Sequence, residues 1–200
     1  MQKTFLTVSA IALLSLSGAS AFAEDHSHEG HKMEAAEKVE MTKEAVQAER
    51  AHATAELINN DGEVIGNAEF IEGTTGILIK IDARDLPPGP HGMHLHATGD
   101  CSDHHHFHAA QGHIMEDGKP HGFLNPEGPH AGNLPNLIVH EDGTVKVEFY
   151  TELLQLNSGD TPVLDEDGAT LIVHANEDDH FTQPIGGAGD RIACGVVKAK

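Results

Sequence analysis

Tryptophan is absent, tyrosine occurs once and phenylalanine seven times, so the core built by these 200 residues must be filled mainly by aliphatic side chains. Cysteine occurs only twice, which excludes cysteine-based zinc modules and iron–sulfur clusters. Basic residues are scarce: 12 Lys and Arg stand against 32 Asp and Glu, a formal net charge of -20. So acidic a chain is repelled by phosphate backbones and anionic lipid surfaces, and neither nucleic acid nor a membrane is expected as a partner. Long apolar runs are missing too; the stretch from Phe5 to Leu16 is too short to span a bilayer as a stable helix. The length and the 38% hydrophobic content fit one compact domain and argue against two large ones.

What the chain does have is histidine, 17 in all, which leaves imidazole as its metal-binding resource. Lys3, the Phe5–Leu16 run and the small-x-small sequence Ala21-Phe22-Ala23 make residues 1–23 read as a cleaved signal peptide, with an uncleaved anchor as the alternative. Export would place Cys101 and Cys194 in an oxidising compartment, where a disulfide is expected and two buried thiols are the rival reading. Residues 24–50 are polar and carry His26, His28 and His31, which reads as a flexible extension, either a metal-gathering arm or a solvated tail. The domain proper is expected over 51–200.

From Ala51 onward the apolar period becomes two. Runs at Ala51–Ile58, Val64–Ile71, Ile77–Ile81, His91–His96, Leu137–His140, Thr144–Thr151, Ala169–His174 and Ile192–Val197 are separated by turn signals such as Asn60-Asp61-Gly62 and Glu141-Asp142-Gly143. These short strands, with no strong helix between them, predict an all-β antiparallel sandwich or barrel. Between His96 and Pro135 the chain is rich in Gly, Pro and His and shows no regular period; a loop that long is functional or disordered, and its content favours a metal holding it in shape.

His94 and His96 flank Leu95 on an expected strand, and a spacing of two puts both imidazoles on one face. Further histidines stand at 113, 121, 130 and 174, the last closing the run Leu171-Ile172-Val173-His174. Four imidazoles from two strands and a loop suit copper, which accepts tetragonal nitrogen geometry; the bland alternative is a set of solvated surface histidines. The tract His104-His105-His106-Phe107-His108 is either a second metal-binding segment or an exposed loop that tolerates histidine.

Three segments carry a resemblance: Gly89-Pro90-His91-Gly92-Met93-His94-Leu95-His96, Gly99-Asp100-Cys101-Ser102, and Gly186-Gly187-Ala188-Gly189-Asp190-Arg191-Ile192-Ala193-Cys194-Gly195. Together they resemble a copper, zinc superoxide dismutase of the bacterial periplasmic type, over about Ala51 to Lys198. The resemblance implies an eight-stranded antiparallel Greek-key β-sandwich or barrel with long metal-binding and electrostatic loops. It implies a periplasmic enzyme that dismutates superoxide to O2 and H2O2 and so protects the cell envelope. His94, His96, His113 and His174 become the copper ligands, and His113, His121 and His130 the zinc ligands, His113 serving both. Asp178 matches the carboxylate that links the two sets, Cys101 and Cys194 the disulfide, and His91 a structural histidine. Arg191 would dock the anion beside copper, and His113 would deliver a proton.

The family's fourth zinc ligand is an aspartate; the chain has Asn133 there, in His130-Ala131-Gly132-Asn133-Leu134-Pro135. A neutral amide in that place predicts weaker zinc binding, with Asp117 or Glu127 as the nearest replacement carboxylates. The rival function is a non-enzymatic copper-binding or copper-carrying protein on the same fold, against which Arg191 counts; a structural module with a His-rich surface is a third reading. Monomer and homodimer both stay open.

Overall fold

The computed structural model of the chain describes residues 50–116 and 118–200. The expected signal peptide, the extension up to residue 49 with His26, His28 and His31, and Asp117 lie outside the described residues.

The period-two runs become antiparallel strands. β1 (His52–Asn59), β2 (Val64–Glu72) and β3 (Ile77–Ala83) form a meander in which Leu57 faces Gly66 and Phe70 faces Ile79. In β3 the buried residues Ile77, Ile79, Ile81 and Ala83 alternate with the more exposed Leu78, Lys80 and Asp82, as a sheet with one face on the core requires. The first turn is closed by Asn59, whose Oδ1 accepts the backbone N–H groups of Asp61 and Glu63 at 3.0 and 2.9 Å, with Gly62 at φ 79°.

The eight expected strands appear as nine, because the run at His91–His96 divides at Gly92. β4 (Gly89–His91) pairs with β6 (Leu137–Val139), whereas β5 (Met93–His96) pairs with β8 (Ala169–His174). Gly92 donates to the Asn176 carbonyl at 2.7 Å and accepts from the His174 N–H at 2.8 Å, and a Cβ there would lie 2.7 Å from the Ala188 methyl. Only glycine lets the chain pass so close at the point where it changes partner. With β7 (Val145–Thr151) and β9 (Arg191–Ala199) the main sheet runs β5-β8-β9-β1-β2-β3-β7. The stretch β9-β1-β2-β3 has the Greek-key order, the last strand returning beside the first.

The curled sheet encloses an aliphatic core that includes Leu57, Ile79, Leu95, Leu134 and Leu171, all 0% exposed. Full burial of one such side chain contributes roughly 1.5–3 kcal/mol. β8 is buried along its whole length. Leu171 and Val173 face this core, while Ile172, on the other face, packs with Cys101, Phe107, Ala110 and Cys194. The Cys101–Cys194 disulfide lies in that second cluster and closes 93 residues of chain. In the chain-entropy account a loop of that length is worth about 4–5 kcal/mol.

The stretch from His96 to Pro135 is irregular as expected, apart from one short 3-10 turn, η1 (His108–Ala110). Asp103 holds that turn, its two carboxylate oxygens accepting the N–H groups of His108 at 2.7 Å and Ala109 at 3.0 Å. Among the described residues no helix is long and apolar enough to cross a membrane.

Candidate metal centre

Strand alternation alone would put only one face of β5 indoors. Yet His94, Leu95 and His96 are all buried, because the 113–134 loop lies across the imidazole face. Backbone pairing fixes it there: Ile114 N–H donates to the Leu95 carbonyl at 2.9 Å, and Leu95 N–H to the Gly132 carbonyl at 2.9 Å. Bridges between His96 and His113 and between His94 and Asn133 extend the contact. His174 arrives from the end of β8, the neighbour of β5.

The result is two histidine clusters sharing one member. One ring nitrogen each from His94, His96, His113 and His174 lies within 4.8 Å of the others, and His113, His121 and His130 meet the same condition. Buried polar atoms test whether a metal fits. His94 Nδ1, His96 Nε2, His113 Nε2 and His174 Nε2 are buried without any hydrogen-bond partner, while the other nitrogen of each ring is engaged. His94 Nε2 donates to Asp178 at 2.7 Å, His96 Nδ1 to the Gln111 carbonyl at 2.8 Å and His174 Nδ1 to the Gly189 carbonyl at 3.0 Å; His113 Nδ1 sits 3.0 Å from His130 Nδ1. Four ring nitrogens converge with no hydrogen-bond partner, and for His94, His96 and His174 the oxygen acceptors on the other nitrogen fix the bare one as the lone pair. That is the arrangement of a histidine metal site.

Burial pushes all four imidazoles below their ordinary pKa. For His174, burial and then the neighbouring His94 bring it down to about 3. These rings are therefore neutral donors at physiological pH. Asp178 behaves oppositely: its own burial works to raise its pKa, but hydrogen bonds from His121 and His94 outweigh it and hold the carboxyl well below its usual range. Its Oδ1 accepts from His121 Nε2 at 3.0 Å and its Oδ2 from His94 Nε2, so one carboxylate spans the two clusters. A Cβ at residue 186 would collide with this carboxylate, which accounts for Gly186 in the glycine-rich segment.

The second cluster differs at its fourth position. Asn133 is fully buried beside His121, its Oδ1 accepting backbone N–H groups and its Nδ2 lying 2.9 Å from His121 Nδ1. An amide nitrogen has no lone pair for a metal, so three imidazoles could hold an ion here but the donor set of a three-histidine, one-carboxylate zinc site is not met. Glu127 is exposed and joins no group of three or more metal donors. His91 is no ligand: its ring bonds the carbonyls of His174 at 2.8 Å and Pro87 at 2.7 Å.

Arg191 is held at a cleft lined by His105, His106, His108, His174 and Ile185. Its guanidinium donates to the Phe107 and Gln111 carbonyls, which aim it, and the nearby Asp103 carboxylate favours its charge. Burial lowers its pKa somewhat, but a guanidinium stays charged. The exposed rings of His106 and His108 stack at 5.5 Å on this rim, outside both clusters.

Several positioning residues carry no sequence signal. Asn136 clasps Asp178 through its backbone, accepting its N–H at 2.9 Å and donating to its carbonyl at 2.8 Å. Gln183 does the same for His121, at 2.8 Å on both sides. Asn60 ties the carbonyls of His104, His105 and Arg191 together.

The chain matches the copper/zinc superoxide dismutase (SODC) family over residues 64–197. It belongs to that family. A relative named superoxide dismutase [Cu-Zn] 2, from Aquifex aeolicus, is 46% identical over 148 residues, covering 73% of this chain and 86% of that one. The Caulobacter vibrioides superoxide dismutase [Cu-Zn] is 42% identical over 149 residues, 73% of this chain and 85% of its own. Among solved structures, a SOD-like protein from Bacillus subtilis superposes with a TM-score of 0.68 at 38% identity, covering 72% of this chain and 96% of that one. The Cu/Zn superoxide dismutase of Brucella abortus gives 0.61 at 28% identity, covering 74% and 99%. The family implies copper and zinc, and the two histidine clusters are groups that could bind metal ions.

Proposed function

We propose that this chain dismutates superoxide at a copper ion held by His94, His96, His113 and His174. The single observation that carries the reading is the set of four buried, unpartnered imidazole nitrogens, three of them on rings fixed by hydrogen bonds to Asp178 and to the Gln111 and Gly189 carbonyls. Copper bound there supplies one-electron redox chemistry, oxidising one superoxide to O2 and reducing the next, with two protons, to H2O2.

The chain's own residues supply the rest. Arg191, anchored on two carbonyls, offers the anion a fixed positive charge at the mouth of the cleft. His113 belongs to both clusters, and its Nε2 is an acceptor at which a proton can be held and passed on. Asp178 fixes the His94 ring in the tautomer that leaves Nδ1 free. A carrier on the same fold would have no use for an anion-docking guanidinium, so Arg191 favours the enzyme.

Export to the periplasm, after removal of residues 1–23, is supported by the Cys101–Cys194 disulfide, since such bonds persist in oxidising compartments. The enzyme there would protect the envelope from superoxide.

The test is a dismutation assay on copper-loaded protein beside His174→Ala. The wild type is expected to be active with about one copper per chain, and the variant to stay folded while losing at least a hundredfold in rate, because it loses a ligand. Stoichiometric copper without dismutation would instead identify a carrier, and unchanged activity in His174→Ala would remove the assignment.

A further inference from the structure

We propose that Asn133 is a positioning residue that does by hydrogen bonding what a zinc ion would do by coordination, so that the copper set is held in register without zinc. The inference rests on the copper reading above and concerns what supports it.

The orientation of the Asn133 amide is settled by its neighbours. One end lies 2.9 Å from the His130 N–H and 3.3 Å from the Gly122 N–H. Backbone N–H groups only donate, so that end is the oxygen. The amide nitrogen therefore faces His121 Nδ1 at 2.9 Å, and that ring nitrogen must accept. The proton of a neutral His121 then sits on Nε2, from which it donates to Asp178 Oδ1 at 3.0 Å. Asp178 Oδ2 accepts the Nε2 proton of His94 at 2.7 Å, which leaves His94 Nδ1 as its bare nitrogen. Asn133, His121, Asp178 and His94 thus form one chain of hydrogen bonds, in which one amide hydrogen of Asn133 and the ring hydrogens of His121 and His94 each have an acceptor. Both His121 nitrogens are used before any metal is considered.

Charge points the same way. Asn133 and Asp178 are 0% and 1% exposed, and an uncompensated charge in such a place is costly. An aspartate at 133 would bring a second buried carboxylate to His121 and would need a cation or an added proton, on the ring or on the carboxyl itself, to be satisfied. The asparagine needs neither. A zinc ion entering here would have to break the Asn133–His121 bond, and would then lie beside an amide nitrogen that cannot bind it.

The experiment uses the full chain, expressed with copper and zinc both supplied, as wild type, Asn133→Asp and Asn133→Leu. Elemental analysis of the wild type should find about one copper and under about 0.2 zinc per chain, and zinc affinity should rise at least tenfold in Asn133→Asp. The Cu(II) electron paramagnetic resonance spectrum should be indifferent to zinc in the wild type. In Asn133→Asp it should be altered without zinc and restored by adding it. Asn133→Leu, which fills the space but cannot donate, should show the altered spectrum whatever zinc is present. Stoichiometric zinc in the wild type, with a copper spectrum that changes when zinc is removed, would overturn the proposal. So would a wild-type copper spectrum in folded Asn133→Leu. Absence of copper from the wild type would instead overturn the copper reading.

Discussion

The two histidine clusters share His113 and are bridged by Asp178, yet they solve opposite problems. Around His94, His96 and His174 the protein has arranged an incomplete set of interactions: each ring is bonded on one nitrogen and left bare on the other. Around His121 it has arranged a complete set, with Asn133 on one nitrogen and Asp178 on the other. A site meant for an ion carries a deficit that only the ion removes; a site built for structure carries none. Access differs as well, since His174 lines a surface cleft together with the half-buried Arg191, while His121 is sealed.

The largest effect that sharpens this contrast is on the stability of the metal-free protein in acid. Burial holds the imidazoles of His94, His96 and His113 below their ordinary values and takes His174 down to about 3. In the unfolded chain the same rings titrate near pH 6.5, so below that pH the unfolded state binds more protons and the native state loses ground. The stability they contribute is complete above about pH 6.5 and falls by at most about 1.4 kcal/mol per pH unit for each ring as the pH drops toward its folded value. Asp178, held below its usual range, loses its contribution in the same direction at lower pH still. Thermal unfolding of the metal-free protein is therefore expected at a much lower temperature at pH 5 than at pH 7.5, and copper, which binds rings already unprotonated in the native state, should raise the midpoint at both pH values while leaving the fall with acid in place. A midpoint that does not move would show the four bare nitrogens to be protonated already or open to water.

Next in size is Arg191→Ala, expected to lower the second-order rate at least tenfold while leaving copper content unchanged, because in the proposed reading the guanidinium docks the substrate, and it bonds backbone carbonyls and no ring nitrogen of the copper set. Between Lys146 and Arg191 the sequence contains no Lys or Arg, and the whole chain carries -20. Long-range forces thus oppose the anion, and attraction is confined to the mouth of the cleft. Added salt, which screens the long-range part first, should leave the wild-type rate nearly flat or raise it. A steep fall with salt would mean that attraction reaches well beyond Arg191.

The parts of this arrangement legible in the sequence are those that depend on period and on residue type. The spacing of two in His94-Leu95-His96 put both imidazoles on one face, and the apolar alternation of Ile77, Ile79 and Ile81 marked a strand with one buried side. The resemblance carried the rest of the ligand set and Asp178. Two things were not legible, for physical reasons. The division of one run into β4 and β5 at Gly92 depends on which strand each half meets, and partner choice is a tertiary matter. The direction of the Asn133 amide depends on the N–H groups of His130 and Gly122, whose placement follows from the path of an irregular loop. Asn136, Gln183 and Asn60 act through backbone groups that no spacing rule brings together.

The smallest expected effect is the one that separates the clusters most cleanly, His130→Ala. His130 touches the shared ring at 3.0 Å through Nδ1, and its backbone N–H is the stronger of the two donors that orient Asn133. Alanine keeps that N–H, so the chain from Asn133 to His94 should survive. What is lost is one imidazole contact on His113 and a side chain that is 7% exposed, a cost of about 1–2 kcal/mol in stability. Dismutation by copper-loaded His130→Ala is expected to stay within about threefold of wild type, with an unchanged copper spectrum, where losing even a group that hydrogen-bonds a working metal ligand typically costs about ten- to a hundredfold. A loss of that larger size, recovered by no addition of copper, would mean that the second cluster works through a bound metal after all, and the contrast between a site with a deficit and a site without one would fail.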